Sequence, residues 1–224
     1  IDMGYDTEFR QSGSLTGIQT EQQYDYIRDK VLSLNSHGYE GELLTCREAL
    51  AIEPEVNPNL LGYMYAPMRG QADPIKCTRA FADASRKAGA SIITGQNVTS
   101  ITSQDGNGYV LQTKDARYTC ETLVIASGAW CGPVGQMMGL RIPIVPVRGQ
   151  MWSTPSLPPL IFQTISSAES SFTWSQDNGA NENPPDLTHK GDLRVTRHLY
   201  GRQRKNGEII FGGDRQDLGY DTTL

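Results

Sequence analysis

Four consecutive apolar residues, Leu123-Val124-Ile125-Ala126, run without a break into Ser127-Gly128-Ala129-Trp130. A short apolar run without alternation reads as a strand buried on both faces, the type found in parallel sheets. Small residues directly after such a strand mark its carboxyl end, where open α/β sheets bind their ligands. The preceding chain is consistent with an α/β layer. Asp73-Pro74 predicts a helix start, with Asp as cap and Pro at the first helical position. That helix is expected to run to about Lys87, with Ile75, Ala80, Phe81 and Ala84 facing inward and Gly89 as its stop. Residues 90–94 read as a short apolar strand. Short strands are expected at 98–103, 109–113 and 118–120, with Asp105-Gly106-Asn107-Gly108 as a hairpin turn.

The two flanks read differently. Residues 5–19 suggest two short strands broken at Ser12-Gly13-Ser14. Thr20-Glu21-Gln22-Gln23 has the form of a capping box, and Tyr24, Ile27, Val31 and Leu34 then fall on one helical face that ends at Gly38. A strand at 43–45 leads into a second Thr-x-x-Glu cap, Thr45 to Glu48, and a short helix stopped by Pro54. Residues 57–68 read as strand and loop. Beyond the apolar run, a short helix is expected at 133–140. A long strand at 142–153 follows, marked by Pro143 and Pro146 as an edge or a crossing between sheets. Strands are expected at 160–165 and 171–175, and a loop at 179–185. A hairpin pairs 193–200 with 208–212 across Lys205-Asn206-Gly207. The fold class is therefore mixed α+β. A partial α/β layer at 71–144 is packed with a largely antiparallel sheet built from 1–70 and 145–224.

Composition narrows the function. The 20 Lys and Arg against 25 Asp and Glu give a net charge of −5, which argues against nucleic acid as a partner. No apolar stretch approaches the roughly 20 residues that span a bilayer. The opening Ile1-Asp2-Met3 has neither an initiator Met nor the basic and apolar regions of a signal peptide, and reads as the start of an internal piece. Cys46, Cys77, Cys120 and Cys131 form no C-x-x-C pair, and His37, His189 and His198 lack metal-like spacing. The expectation is no metal, reduced thiols and a cytoplasmic protein. No GxGxxG, P-loop or GxSxG motif is present, so hydrolysis and phosphoryl transfer find no support. Asp214-Arg215, after Phe211-Gly212-Gly213, reads as a tight turn with a surface ion pair.

Five segments in order carry a resemblance. They are Tyr65-Ala66-Pro67-Met68-Arg69-Gly70-Gln71-Ala72-Asp73-Pro74 leading into a helix; the stretch from Gly89 to Ile101; Leu123 to Trp130; Pro146-Val147-Arg148-Gly149-Gln150; and Tyr200 to Gly213. In order and spacing they resemble the D-amino-acid oxidase / glycine oxidase / sarcosine oxidase β-subunit family of FAD-dependent oxidoreductases, the DAO family, along nearly the whole chain. The family's strand–GxGxxG–helix unit would precede Ile1. Its glycine-rich segment near the flavin, with an Arg for the substrate carboxylate, would follow Leu224. The resemblance thus implies an internal fragment of a two-domain flavoenzyme. FAD is expected in the full-length protein and weakly or not at all in this chain alone, since the pyrophosphate would lack its helix N-terminus.

The resemblance also implies roles. Val98 would offer its backbone to the adenine. Ala126, Ser127 and Gly128 would pass close to the ADP moiety, and Trp130 would cover that region. Tyr200 would bind the substrate carboxylate through its hydroxyl. Arg148 would face the site or bridge the domains, as would Arg202. Read from the residues alone, Val98 is equally a core strand position, Trp130 a core aromatic, Tyr200 a buried phenol needing any partner, and the arginines surface groups.

The implied reaction is oxidation of the C–N bond of a small amino acid or secondary amine, such as glycine, sarcosine, a D-amino acid or a proline-like compound. A hydride passes to the flavin, and no obligatory acid–base residue is required. The electron acceptor stays open between oxygen, a quinone and a partner subunit. The match at 146–150 and 200–213 leans toward heteromeric dehydrogenases. Peripheral membrane association is left undetermined. Two alternatives remain. One is a 2-hydroxy-acid or glycerol-3-phosphate dehydrogenase of the same fold, for which Arg197, Arg202, Arg204 and Lys205 would suit a dianion. The other is a non-catalytic fragment without flavin.

Overall fold

The computed structural model describes residues 4–104, 108–176, 189–190, 193–194, 199–216, 219–221 and 223. In chain order the elements begin with β1 (Ser14–Ile18), α1 (Glu21–Ser36), β2 (Glu42–Leu44), α2 (Cys46–Ile52), β3 (Gly62–Ala66) and α3 (Pro74–Lys87). There follow β4 (Val98–Ser103), β5 (Tyr109–Thr113), β6 (Arg117–Cys120), α4 (Cys131–Gln136) and β7 (Arg148–Ser156). The last are β8 (Thr164–Ser167), α5 (Ala168–Gln176), β9 (His189–Lys190), β10 (Leu193–Arg194), β11 (Tyr200–Gln203) and β12 (Glu208–Gln216). Two compact units emerge: residues 1–81 with 148–216, and residues 82–147 with 217–224.

The first unit is a seven-stranded sheet in the order β2-β3-β1-β8-β11-β12-β7. β1 and β8 run parallel, and every other neighbouring pair is antiparallel. A parallel pair needs a long crossover, and here the chain between β1 and β8 supplies it. β1 is buried along its whole length. On one face Ile18 and Met64 meet Ile27 and Val31 of α1 and Ala168 of α5. On the other, Leu15 and Tyr63 meet Ala49 of α2 and Val56. Full burial of each large side chain contributes on the order of 1.5–3 kcal/mol.

The helices form where local chemistry requires them. Thr20 caps α1 by accepting from the Gln23 N–H at 3.2 Å. The reciprocal contact is displaced by one residue, because Gln23 Oε1 accepts from the Gln19 N–H rather than from that of Thr20. At the other end the Gly38 N–H reaches Asn35 O and the Tyr39 N–H reaches Leu34 O, with Gly38 at φ +80°. This is a Schellman stop, for which glycine removes the Cβ penalty. Thr45 and Glu48 close the full reciprocal box on α2, at 3.3 and 2.8 Å.

The second unit holds a three-stranded antiparallel sheet, β4-β5-β6, with Ile101 and Val110 buried. Thr113 Oγ1 fixes its second turn by accepting from the Ala116 N–H at 2.9 Å. α4 follows a single 3-10 turn over Gly128–Trp130.

Several expectations are corrected. Residues 123–126 and 90–94 belong to no strand, and Val124 is 77% exposed. The apolar run demands burial, but no described strand lies beside it. Ala80 is buried as expected, whereas Ile75 and Phe81 are 61% and 68% exposed. Residues 5–19 hold one strand, with Arg10 making only an isolated bridge to Gln71. The strand placed at 142–153 starts at Arg148, and that at 160–165 becomes β8. Residues 171–175 lie in helix α5 rather than in a strand. The loop at 179–185 and most of the turn at 105–108 lie outside the described residues, as do Arg197 and His198.

Candidate functional site

One face of the large sheet carries hydroxyls where a core face would carry aliphatic side chains. In β1, Ser14 and Thr16 alternate with Leu15 and Gly17; in β8, Thr164 and Ser166 alternate with Ile165. The period of two places both hydroxyl sets on one side. Register aligns them: Ser14 opposes Thr164, Thr16 opposes Ser166, and Ser166 opposes Tyr200 of β11. Five hydroxyl-bearing residues thus share one face across three adjacent strands. Thr16 Oγ1 and Ser166 Oγ are 2.9 Å apart. The hydroxyls of Ser14 and Thr164 are buried and have no partner among the described residues. Buried polar groups are normally satisfied, so such a pair marks a place built for something else.

This face opens into a cavity of about 270 Å³ and, further along, one of about 470 Å³. Half-buried Tyr200 lines both. Met151 and Ile210 give the larger cavity an apolar wall. No described residue bonds the Tyr200 hydroxyl.

Arg202 and Arg204 of the hairpin are engaged within the fold. Arg202 is buried and donates through Nη1 to Ala72 O at 2.9 Å. Arg204 reaches Asp73 Oδ2 at 2.8 Å and Glu208 Oε2 at 3.0 Å. Asp73 also caps α3, accepting from the Lys76 N–H at 2.9 Å. That amide first, and Arg204 after it, hold the Asp73 carboxyl below the usual carboxylate range. A carboxyl lowered on folding stabilises fully above its unfolded pKa, and that stability is lost as pH falls through the lower folded value. Asp73→Asn keeps a cap acceptor and loses the charge. We expect it to flatten the fall of the urea unfolding midpoint as pH drops below the ordinary carboxylate pKa of about 3.9.

The other residues singled out in the sequence lie in different elements. Arg148 is the first residue of β7, half-buried, and is not among the residues lining the cavities at Tyr200. Val98 begins β4, half-buried, opposite Thr113. Ala126 and Gly128 are exposed and Ser127 is half-buried. Ser127 O accepts from the Trp130 N–H at 3.0 Å. Trp130 is half exposed and lies 6.3 Å from the Tyr220 ring. Gly128 sits at φ +56° with open space where a Cβ would project. A backbone so uncovered leaves room for the close approach of a flat ligand.

The hydroxyl face was missed from sequence. Its signal was the alternation Ser14-Leu15-Thr16 and Thr164-Ile165-Ser166, with the polar set turned inward. Among the described residues no group of three or more His, Cys, Asp or Glu could hold a metal. None of their helices is long and apolar enough to cross a membrane.

Comparison with known proteins adds a family. The family described as DAO, FAD dependent oxidoreductase, matches residues 1–224. Hydrogen cyanide synthase subunit HcnC of Pseudomonas aeruginosa is 28% identical over 222 residues, covering 98% of this chain and 46% of that protein. Glycine oxidase of Geobacillus kaustophilus is 32% identical over 163 residues, covering 72% of this chain and 43% of that protein. The crystal structure of that glycine oxidase superposes with a TM-score of 0.78 at 26% identity, over 99% of this chain and 52% of the other. The chain spans about half the length of these relatives.

Proposed function

Because the chain belongs to the DAO family of FAD dependent oxidoreductases, we propose that it is the substrate-side portion of an enzyme that oxidises the C–N bond of a small amino acid or amine. The observation that carries this reading is Tyr200. It stands between two cavities on a polar sheet face, with its hydroxyl bonded to no described residue. A phenol so placed can donate to a substrate carboxylate and fix the α-carbon. Met151 and Ile210 then give the substrate an apolar wall. Glycine oxidase and the hydrogen cyanide synthase subunit, the relatives above, support the substrate class.

Residues 126–128, with Val98 and Trp130, are the proposed contacts to FAD. When bound, FAD supplies the acceptor for the departing hydride. Arg202 and Arg204 are held by Ala72, Asp73 and Glu208, so these two residues give no support to a glycerol-phosphate substrate. An electron-accepting partner subunit remains part of the proposal, supported by the likeness to a synthase subunit.

The test uses the flavin-loaded protein that contains this chain. Glycine, sarcosine, proline or a D-amino acid, added without oxygen, is expected to bleach its yellow absorbance. If no amine or amino acid bleaches it, the reading falls.

A further inference from the structure

The polar groups lining the smaller cavity at Tyr200 include Ser14, Thr16, Thr164, Lys30 and Arg69. The set contains two cations, and among the described residues no acid lines the cavity. Lys30 projects from α1, half-buried, with its Nζ 5.9 Å from the Tyr26 ring centroid. Arg69 stands exposed in the loop after β3. The nearest acids on α1 are otherwise engaged: Asp25 and Asp29 meet Arg28 at 2.7 and 3.5 Å on the solvent side. Lys30 has no acidic partner among the described residues. Burial first, and the Arg69 charge second, push its ammonium pKa down. The ammonium is therefore held where its charge is uncompensated.

The second observation is independent of charge. Ser14 is 3% exposed and Thr164 9%, and both hydroxyls lack partners among the described residues. The two residues oppose one another across β1 and β8, so they flank a single point on the sheet. A buried hydroxyl without a bond costs about 1–3 kcal/mol. Two of them lining one cavity with Lys30 form a set of donors for one small oxyanion. A cavity of about 270 Å³ holds a carboxylate with a few methylenes, not a nucleotide.

We propose that Ser14, Thr164 and Lys30, with Arg69 at the mouth, form a subsite for a second carboxylate on the substrate, which makes the substrate an amino acid with an acidic side chain. This rests on the amine-oxidising reading given above and extends it. Tyr200 takes the α-carboxylate. The subsite lies on the neighbouring strands, reached from the Tyr200 register partner Ser166 by moving two residues along β8 to Thr164. A chain of two or three carbons bridges a step of that size.

Two measurements on the flavin-loaded protein test it. In calorimetric titration, glutarate is expected to bind at least tenfold tighter than butyrate. Lys30→Met should erase that preference, and Lys30→Arg should retain most of it. In kinetics, the ratio of kcat/KM for glutamate over glutamine, or aspartate over asparagine, in whichever configuration is turned over, should fall at least tenfold in Lys30→Met and also fall in Ser14→Ala. Equal binding of glutarate and butyrate by the unaltered protein, or a preference that survives Lys30→Met, overturns the subsite. Failure of every amine to reduce the flavin overturns the functional reading instead, and leaves the glutarate titration to decide the subsite by itself.

Discussion

Replacing Glu53 with alanine is expected to remove roughly 3 kcal/mol of stability. Glu53 follows α2 and is fully buried. Its Oε2 accepts the N–H groups of Phe162 and Gln163 at 2.6 and 2.9 Å, immediately before β8. Leaving a buried N–H unpaired costs about 1–3 kcal/mol, and two are at stake. Water entering the vacated space would recover part of that, which brings the net near the lower half of the sum. A loss of this size lowers the melting temperature of a chain of this length by about 6–12 °C. Glu53→Gln keeps one acceptor oxygen for both N–H groups but puts an amide NH2 where Oε1 lies buried without a partner among the described residues, so its loss should be smaller than that of Glu53→Ala without vanishing. Thermal unfolding followed by circular dichroism checks both. Equal melting of Glu53→Ala and the unaltered protein would mean that the β8 entry is held by something else.

Glu53 also shows where sequence reading stops. A glutamate just before Pro54 reads as a solvated helix end, and its partners lie 109 and 110 residues further on. The features read correctly were those closed by neighbours in sequence. The Thr45–Glu48 box needs only four residues, and the Asn206-Gly207 turn between β11 and β12 needs only the dipeptide. Gly207 adopts φ +88° there, against Leu157 O.

The misread segments were decided at a distance. Residues 171–175 contain Phe, Thr and Trp, which favour strands. Packing of Phe172 edge-on to Tyr26 of α1, at 5.8 Å, and Thr173 Oγ1 donating to Glu169 O hold them as helix instead. For residues 123–126 the four apolar side chains state a need for burial without naming what buries them. The hydroxyl face was illegible for a third reason. Alternation in β1 shows that Ser14 and Thr16 share a side, but both faces of that strand are covered. Pattern alone therefore treats the polar face as the outer one. Only the pairing of β1 with β8, 150 residues apart at Thr16 and Ser166, brings the second pair of hydroxyls beside the first.

Tyr200→Phe separates folding from function more cleanly than any change at that face. The ring stays, so packing on β11 is kept, and no described hydrogen bond is lost. Stability is expected to change by less than about 0.5 kcal/mol. If the hydroxyl donates to the substrate carboxylate, its loss removes a hydrogen bond to a charged group, about 1.5–3 kcal/mol. That corresponds to a fall in kcat/KM of roughly 10–100-fold, at about 1.4 kcal/mol per factor of ten. The division between constants reports when the bond matters. A rise in KM at constant kcat means that the hydroxyl holds substrate and transition state alike. A fall in kcat means that it aligns the α-carbon chiefly as the hydride leaves. Stopped-flow flavin reduction with the substrate amine resolves the two. A change of less than twofold in kcat/KM, with the melting temperature unaltered, would take the carboxylate away from Tyr200. The cationic end of the neighbouring cavity, lined by Lys30 and Arg69, would then be the place to look for it.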